Sequence, residues 1–525
     1  MTATATAYRS TQPAGRVGFG HLLHAEWTKF RTVRGWVIGM AAALLATVLL
    51  GLVSAAGSHR VVRAAPGSPP GRGTGIASAP VGPDGEPVND QFYFLHRTLT
   101  GDGSITVRVT SLAGTVLDPD SPPTGPDTGT PEPWAKAGII VKAGTRPGSG
   151  YAAVLVTGAH GVRMQDNYLH DTAGLAGTVS ASAPRWLRLT RTGTTLTGYH
   201  SVDGTHWTRI GTAHLAGLPP TVEAGMFVTS PQHEVFQQHF GGASGDSGGT
   251  RATGRFDSVA AQGRWSGTGW TGDAIGSANE RTGISGFQAT GDGFTVSGTG
   301  DIAPVAVNSE SSLERTLIGT FAGLTVVVVL GVLFITAEYR RGMIRTTLAA
   351  SPRRGRVLAA KALVLGLVTF AVGLVAELAS LIVAKPIMKH NGFAINPIGT
   401  ATQARLVLGS AALLAVAAVL AMAVGAVLRR GAVAVAVVIV LVVLPYILAT
   451  AAVLPTAPAQ WLLRITPAAA FAVQQSSPAY HQVLAAYTPA QGYYPLTPWA
   501  GFAVLCGYAA AVLGLAVVLL RRRDA

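Results

Sequence analysis

Six long apolar runs constrain this chain more than any other feature of its sequence. A helix needs about 20 predominantly apolar residues to cross the hydrocarbon core of a bilayer, and each run is long enough to do so. The only charged residue within all six runs is Glu377. The sequence therefore predicts a multi-pass α-helical membrane protein with six transmembrane helices. The runs lie at 35–57, 316–337, 362–384, 406–428, 432–454 and 498–520.

The distribution of basic residues predicts the orientation of these spans. Lys and Arg near the ends of spans are retained on the cytoplasmic side. With both termini cytoplasmic, the inner segments hold 17 basic and three acidic residues, an excess equal to the whole formal net charge of +14. Residues 58–315 hold 18 basic and 21 acidic residues. The net charge is therefore a topology signal and does not indicate nucleic acid as a partner. It predicts a cell-membrane protein with residues 58–315 extracellular.

Residues 58–315 contain no run of spanning length and carry the signals of an all-β domain. Gly/Pro-rich and Gly/Ser/Thr-rich linkers are predicted at 58–89 and 241–254. Between them, short alternating segments are separated by hairpin-type signals at 101–103, 191–193 and 203–204. Strands at this spacing without intervening helices predict an antiparallel sandwich. The predicted strands are 105–109, 137–141, 151–157, 186–191, 195–201, 207–210 and 222–229.

One basic segment precedes the first span, and another follows the second span. Residues 21–34 place an apolar stripe opposite a charged face at helical spacing, which predicts an amphipathic helix in the membrane interface. The loop at 337–361 carries seven basic residues. Its first half is helix-compatible, and Ser351-Pro352 is typical of an N-cap followed by proline at the first helical position. We therefore predict two short helices joined by a bend, which would form a docking surface for a soluble partner.

Both segments resemble parts of a known family. The run EWTKFRTVR, from Glu26 to Arg34, resembles the N-terminal elbow helix of type 2 ABC exporter permeases. The run AEYRRGMIRTTLAASPRRGRVLAAK at 337–361 resembles the first cytoplasmic loop of the same permeases. The resemblance implies contact with a separate ATP-hydrolysing subunit. It also implies a homodimer or heterodimer with a second permease in the lipid bilayer. A solvated loop that only fixes topology is the alternative.

The resemblance also assigns roles to individual residues and segments. The residues implied to contact the ATPase subunit are Glu338, Tyr339, Arg340, Arg341, Ile344 and Arg345. The residues implied to form the elbow helix include Glu26, Trp27, Lys29 and Arg31. The apolar segment 457–475 resembles the re-entrant outer helices of these exporters. The strand order over 91–230 resembles concanavalin-like jelly-roll domains, and such a large insertion departs from the simplest pattern of the permease family.

No motif predicts catalysis by this chain. A phosphate-binding loop of the form GxxxxGK[ST] is absent from the sequence, so we expect ATP and Mg²⁺ on the partner subunit and no cofactor on this chain. A single cysteine, Cys506, allows neither an internal disulfide nor a cysteine metal cluster. The string GDSGG at 245–249 lies in a predicted linker, without the strand and helix that a nucleophile elbow requires. We therefore predict a transporter component that is not an enzyme.

Two further sets of residues have both a functional and a structural interpretation. Glu377 is either a carboxylate of the substrate pathway or an acid solvated near Lys385. Trp207 and Tyr199 are either carbohydrate-stacking residues or core aromatics. The alternative function is a membrane-anchored binding or sensing protein whose external β-sandwich recognises cell-envelope carbohydrate, although this would need only one or two spans.

The predicted division of the chain follows from these signals. Residues 1–34 form a cytoplasmic tail and the elbow helix, and 35–57 form the first transmembrane helix. Residues 58–315 form an extracellular linker and the β-sandwich. Residues 316–525 form a transmembrane domain with five helices, which includes the cytoplasmic loop 337–361 and the outer re-entrant segment 457–475.

Overall fold

The computed structural model describes residues 18–57, 79–117, 127–239, 242–276, 284–291, 293–305, 313–350, 353–391 and 395–522. These residues form a helical part and a β region, and the β region is inserted between the second and third helices. The α-helices are α1 (Phe19–Thr32), α2 (Arg34–Gly57), α3 (Gly319–Arg340), α4 (Met343–Ala350), α5 (Arg354–His390), α6 (Thr400–Leu428), α7 (Gly431–Val438), α8 (Leu444–Thr450), α9 (Thr456–Ile465) and α10 (Pro498–Arg522).

Six helical segments of the described chain are long and apolar enough to cross a membrane. Each coincides with one of the six apolar runs, as a multi-pass membrane protein requires. The six segments are Arg34–Gly57, Gly319–Arg340, Arg354–His390, Thr400–Leu428, Gly431–Thr450 and Pro498–Arg522.

The loop between the second and third of these segments differs from its prediction. Its first half forms α4, as expected, but its second half is not a separate short helix. It is the beginning of α5, which runs without interruption from Arg354 to His390. The predicted cap at 351–352 lies outside the described residues. Because α5 extends ahead of its apolar run, the basic residues 354–361 are rigidly connected to a spanning helix.

The fifth segment contains a local change of helical pitch. Residues Ile439–Val443 between α7 and α8 form a π-helical turn. Pro445, the second residue of α8, cannot donate a backbone hydrogen bond, so a regular α-helix would be interrupted here in any case. The wider π turn accommodates the proline without ending the segment.

Helix α6 is the centre of the helical part. It packs against α3, α5 and α10, and small residues permit the close approach. A methyl group on Gly331 of α3 would overlap with the backbone carbonyl of Ala418 on α6. The segment 457–475 lies beside this core as α9 and a 3₁₀-helix, Pro467–Gln474, all eight residues of which are buried. Its irregular backbone is therefore covered by protein, as an apolar environment requires.

The β region contains every strand of the described chain, and all strand pairs are antiparallel. The strands are β1 (Val88–Asp90), β2 (Phe92–Val116), β3 (Lys136–Lys142), β4 (Tyr151–Thr157), β5 (Val162–Asp166), β6 (His170–Ala173), β7 (Arg185–Thr192), β8 (Thr195–Ser201), β9 (Thr208–His214), β10 (Thr221–Thr229), β11 (His233–His239), β12 (Gly242–Gly248), β13 (Thr250–Trp265), β14 (Thr271–Ile275), β15 (Gly286–Thr290), β16 (Gly293–Gly298) and β17 (Ile302–Pro304).

One long strand organises this region. β2 pairs with β10 and β14 through its first half and with β7 and β13 through later residues, so that 13 strands join in one sheet. The sheet curves until β7–β9 face β3–β5 across an apolar core. At Gly198 on β8 the two faces are so close that a Cβ atom would lie 2.6 Å from the Val154 side chain on β4. The packing is therefore face to face, as two layers of strands require.

Two sequence-based predictions about this region are wrong. The signal Gly101-Asp102-Gly103 does not form a hairpin, because β2 continues through it. Gly101 has a left-handed φ of 72°, and the adjacent register with β13 shifts, so the glycines form a bend in a continuous strand. The predicted linker at 241–254 instead contains β12 and the start of β13. By contrast, the hairpin signals at 191–193 and 203–204 are confirmed as the turns that join β7, β8 and β9.

The first and last strands of the β region pair with each other. Val88–Asp90 lies antiparallel to Ile302–Pro304, so the chain enters and leaves the region at one place. Two fully buried lysines fix this junction. Lys136 Nζ donates to Asp301 Oδ1 at 2.6 Å, and Lys142 Nζ donates to Asp90 Oδ2 at 2.7 Å. Both lysines lie on β3 of the 13-stranded sheet, so these ion pairs connect the separate β1–β17 pair to that sheet.

The β region also contacts the segment between the 3₁₀-helix and α10. The Gln482 side chain, which is buried, donates through Nε2 to the carbonyl oxygens of Tyr168 at 3.0 Å and Leu169 at 3.2 Å. These carbonyls belong to the connection between β5 and β6. The inserted β region is therefore connected to the helical part through Gln482 as well as through its two covalent ends.

Candidate functional site

Four charged side chains meet where α1, the end of α3 and the beginning of α5 converge. We call Glu26, Lys29, Glu338 and Lys361 the Lys361 cluster. Lys361 is fully buried, and its Nζ donates to Glu26 Oε2 at 2.8 Å and to Glu338 Oε1 at 2.5 Å. Lys29 lies at the rim, with its Nζ 3.1 Å from Glu26 Oε1 and 3.6 Å from Glu338 Oε1. Two cations thus balance two carboxylates.

An aromatic group lies directly beneath the Lys361 cluster. The Phe334 ring is 5.3 Å from Lys361 Nζ, 5.9 Å from the Phe30 ring and 5.4 Å from the Trp36 ring. These contacts join α1, the start of α2, and α3. A lysine whose charge is removed from water is tolerated only when it is paired, and an aromatic face adds a weaker attraction. The amphipathic helix is therefore fastened to the spanning helices by both charge and apolar contact.

The residues predicted to contact an ATPase subunit fall into three groups. Arg340 and Arg341 are exposed at the end of α3. Tyr339 is half-buried, with the Arg429 guanidinium 5.1 Å from its ring centre. Glu338 and Ile344 are buried inside the helical part, so neither side chain is presented on the surface. The side chain of Arg345 lies outside the described residues.

The predicted elbow residues divide in a similar way. Trp27 is 45% exposed and Arg31 is also exposed, so both are available to lipid or to a partner. Glu26 is buried in the Lys361 cluster, and Lys29 links that cluster to Thr347 Oγ1 of α4 at 3.4 Å. The elbow helix and the loop that follows α3 are therefore in direct contact.

Sequence analysis missed the role of Lys361, which it counted only as one of seven basic loop residues. A signal was nevertheless present. Only three acids occur in the predicted cytoplasmic segments, and two of them are Glu26 and Glu338. An acid close to the end of an apolar span needs a partner, and Lys361 stands at the matching end of the next span. The sequence alone does not show that Glu26, Glu338 and Lys361 lie close together in the fold.

Glu377 belongs to a second buried polar group, within the helical part. It is fully buried, and Thr320 Oγ1 donates to its Oε1 at 2.7 Å. Gln474 Nε2 donates to Thr320 Oγ1 at 2.7 Å and to Ser410 Oγ at 2.9 Å. Four elements, α3, α5, α6 and the 3₁₀-helix, therefore meet through hydrogen bonds. Solvation near Lys385 is wrong for this carboxylate, because the structure buries it completely.

The two carbohydrate candidates of the β region are partly covered. Trp207 is half-buried, and the Arg188 guanidinium lies 3.8 Å from the centre of its ring. One face of this indole is therefore occupied by a cation. Tyr199 is also half-buried, on β8. Among the described residues, no group of three or more His, Cys, Asp or Glu side chains is placed to hold a metal ion.

Comparison with known proteins gives one extensive match. The family model described as ABC-2 family transporter protein matches residues 196–525. This stretch is more than half of the chain, begins within the β region at β8, and includes every helix from α3 onward. No curated protein matches the chain.

Similarity to solved structures is slight. A functionally unknown protein from Saccharomyces cerevisiae is 13% identical with a TM-score of 0.21, over 33% of this chain and 75% of that one. Scytalido-glutamic peptidase with a transition state analog inhibitor is 8% identical with a TM-score of 0.25, over 41% and 100%. The GH43 BlXynB protein from Bacillus licheniformis is 18% identical with a TM-score of 0.18, over 31% and 28%. At such scores these likenesses carry no argument about activity.

Proposed function

The chain belongs to the ABC-2 family of transporter proteins, and from this premise we propose that it is the permease subunit of an exporter driven by a separate ATPase subunit. Its six apolar helical segments agree with a permease of an ABC transporter. ATP and Mg²⁺ are proposed to bind the partner subunit. Because one such chain supplies half of a pathway in this family, the proposed assembly also contains a second permease, identical or different.

The observation that carries the proposal is the Lys361 cluster. It joins α1, α3 and α5 at the place where the exposed Arg340 and Arg341 leave the end of α3. A force applied to this surface would reach both spanning helices, because Glu338 and Lys361 are paired at 2.5 Å. We therefore assign Arg340 and Arg341 to partner contact. Glu338 and Ile344 are positioning residues that hold the surface in place.

Helices α3 and α5 are also linked at a second place, near the start of α3 and in the second half of α5. Thr320 of α3 donates to Glu377 of α5, and these residues stand 18 and 16 positions from Glu338 and Lys361. At about 1.5 Å per residue, the two links are roughly 25 Å apart along the helices. Such a spacing covers most of the hydrocarbon core, which is about 30 Å thick. We propose that α3 and α5 move as one unit when the ATPase subunit closes.

The β region is proposed to be extracellular and concanavalin-like, with both chain termini cytoplasmic. Support comes from its two facing layers of antiparallel strands and from its insertion between α2 and α3. Its contact through Gln482 places it against the segment between the 3₁₀-helix and α10, which the charge distribution also assigns to the outside. From this position it would cover the outer end of the pathway.

Charge reversal tests the coupling surface. The full chain is co-expressed with a candidate Walker-type ATPase from a neighbouring reading frame, and co-purification is measured. Arg340→Glu with Arg341→Glu is expected to abolish recovery of the ATPase. Arg430→Glu is the matched control, because Arg430 is also exposed and lies on the α6–α7 connection, on the same predicted side. Unchanged recovery with the double variant, or equal loss with the control, would contradict the assignment.

Thiol labelling tests the orientation independently. In a Cys506→Ser background, a cysteine replaces either Thr205 in the β region or Thr346 on α4, both of which are exposed. A membrane-impermeant thiol reagent applied to intact cells is expected to label the first cysteine only. Labelling of Thr346→Cys from outside would reverse the proposed topology.

A further inference from the structure

The beginning of α5 and the end of α10 border an open cavity of about 570 Å³. We call it the arginine cavity. Its volume lies in the range of sites for small molecules or headgroups, about 300–1,000 Å³. Four of the seven described lining residues are arginines, and none of the seven is acidic. The lining residues are Arg353, Arg354, Gly355, Arg356, Ala359, Val517 and Arg521.

Three of the four arginines in the arginine cavity have no carboxylate partner among the described residues. No salt bridge in the described part of the chain pairs Arg353, Arg356 or Arg521 with a carboxylate. Three of the four arginines also occupy the N-cap and first turn of α5, where no acidic residue is present. Cations are unfavourable at this end of a helix, because the helix dipole is positive there. A bound anion would reduce the repulsion between the arginines and would interact favourably with the positive end of the helix dipole.

The walls of the arginine cavity are held in place. Arg354 Nη1 donates to the backbone carbonyl oxygen of Leu520 at 2.6 Å, which joins the first turn of α5 to the last turn of α10. A Cβ atom on Gly355 would lie 3.3 Å from the Val517 side chain. The two helix ends are therefore packed against each other, and the arginines are carried on ordered backbone.

The surroundings of the arginine cavity indicate where its ligand comes from. Large apolar side chains are exposed on both helices beyond it, at 44% or more: Leu363 and Leu367 on α5, and Leu515 and Val518 on α10. Such side chains face lipid tails in a membrane protein. The cavity thus lies at the border between the apolar belt and the polar end of the helices, which is the level of phospholipid headgroups.

We propose that the arginine cavity binds the phosphate of an anionic phospholipid headgroup in the inner leaflet. The planar guanidinium forms two parallel hydrogen bonds with phosphate oxygens, which makes arginine well suited to this anion. Basic pockets between spanning helices on the cytoplasmic side are a recognised form of anionic-lipid site. The lipid would link α5, which carries Lys361, to α10, so its binding would stabilise the inner end of the helical part.

Lipid retention tests this proposal on the full-length protein. The protein is purified from nanodiscs of mixed phosphatidylglycerol and phosphatidylcholine, and the retained lipids are quantified by mass spectrometry. The variants are Arg356→Ala with Arg521→Ala, and the charge-conserving Arg521→Lys. The matched control is Arg522→Ala, since Arg522 is exposed beside Arg521 but does not line the cavity.

The expected result is retention of phosphatidylglycerol by the wild type, a fall of at least about tenfold in the double variant, and little change in the control. Arg521→Lys should show an intermediate loss, because an ammonium keeps the charge but not the paired geometry. An equal fall with Arg522→Ala would indicate general surface attraction and overturn the site. Unchanged retention in the folded double variant, verified by its elution as a single species, would do the same.

Two further experiments distinguish a lipid headgroup from a soluble anion and from a protein partner as the ligand of the cavity. Inorganic phosphate and glycerol phosphate are titrated into lipid-depleted protein, and the thermal midpoint is recorded. A shift that depends on Arg356 and Arg521 and matches that caused by phosphatidylglycerol would assign the site to a soluble phosphate and overturn the lipid. Loss of the ATPase subunit from the double variant, with lipid retention unchanged, would assign the arginines to a protein partner instead.

Discussion

Replacement of Lys361 by methionine removes the buried cation on which the attachment of α1 depends. Methionine keeps the length and apolar character of the lysine stem, so the loss is confined to charge and hydrogen bonding. Glu26 and Glu338, whose side chains are 3% and 9% exposed, would then share only Lys29. Removing one partner from a buried ion pair costs about 3–5 kcal/mol. Because Lys29 remains within reach, we expect the lower end of this range.

The matched control is Lys29→Met, which removes the other cation of the same cluster. The Lys29 side chain is 43% exposed, and an exposed ion pair contributes about 0–1 kcal/mol because solvent screens it. The two substitutions change the net charge equally and differ in burial. A clear difference between them would therefore report the buried position and not the charge alone.

Hydrogen exchange measures the opening of α1 directly in the full-length protein. About 3 kcal/mol corresponds to a rate change of more than a hundredfold, at 1.36 kcal/mol per factor of ten. We expect amides in Phe19–Thr32 to exchange faster by about this factor in Lys361→Met and by about fivefold or less in Lys29→Met. Amides in the central helix α6 should change much less in both.

Two outcomes would refute the reasoning. Equal acceleration in both variants would mean that burial of Lys361 adds nothing to the attachment of α1. Acceleration in α6 as large as that in α1 would mean that Lys361→Met loosens the whole helical part. Adding Glu26→Gln to Lys361→Met should restore part of the protection, because one of the two buried carboxylates is then neutral.

Burial raises the pKa of Glu86 above its ordinary value of 4.5, so the folded chain holds this proton more tightly than the unfolded chain. The free energy of unfolding therefore falls as the pH rises above 4.5. Glu86→Gln should reduce this fall, measured as the thermal midpoint, whereas Asp84→Asn, at an exposed position, should have less effect. Gly331→Ala should lower the thermal midpoint because its methyl group would overlap with a carbonyl of α6. Gly514→Ala, with no atom within 4 Å, should be neutral or favourable by up to about 1 kcal/mol, and a lower midpoint for this variant alone would contradict the packing. Lys142→Met leaves a buried carboxylate unpaired, at about 3–5 kcal/mol, and should make the β region selectively sensitive to protease; an unchanged digestion pattern would contradict the buried pairing.

Turn chemistry illustrates the limit of local reasoning in the β region. The hairpins at 191–193 and 203–204 were predictable, because a glycine with left-handed φ ends one strand and the next strand pairs with it directly. The glycines at 101–103 give the same local signal but lie in the middle of β2. There, β7, β10 and β13 supply partners along the length of the strand and keep it continuous. A signal within three residues cannot reveal how many neighbours a strand will have.

In the candidate sites, too, the local sequence indicates some features and only the fold decides the others. The sequence indicated a basic segment after α3, where Arg340 and Arg341 are exposed, because apolar span length and the distribution of Lys and Arg are properties of a local stretch. It did not indicate that Glu338 is buried, since that depends on Glu26 and Lys361, which are 312 and 23 positions away. Nor did it indicate that Gln474 and Ser410 complete the group around Glu377.

Sequence alone determined the helical spans, the all-β character of the insertion and the family resemblance, because bilayer thickness and strand alternation act on consecutive residues. Tertiary structure decided which charges are paired and buried and which remain exposed. It also decided where the arginine cavity forms, since α5 and α10 begin and end far apart in the chain. The physical reason is that the effect of a charge depends on the dielectric and the partners around it, and distant parts of the chain supply both.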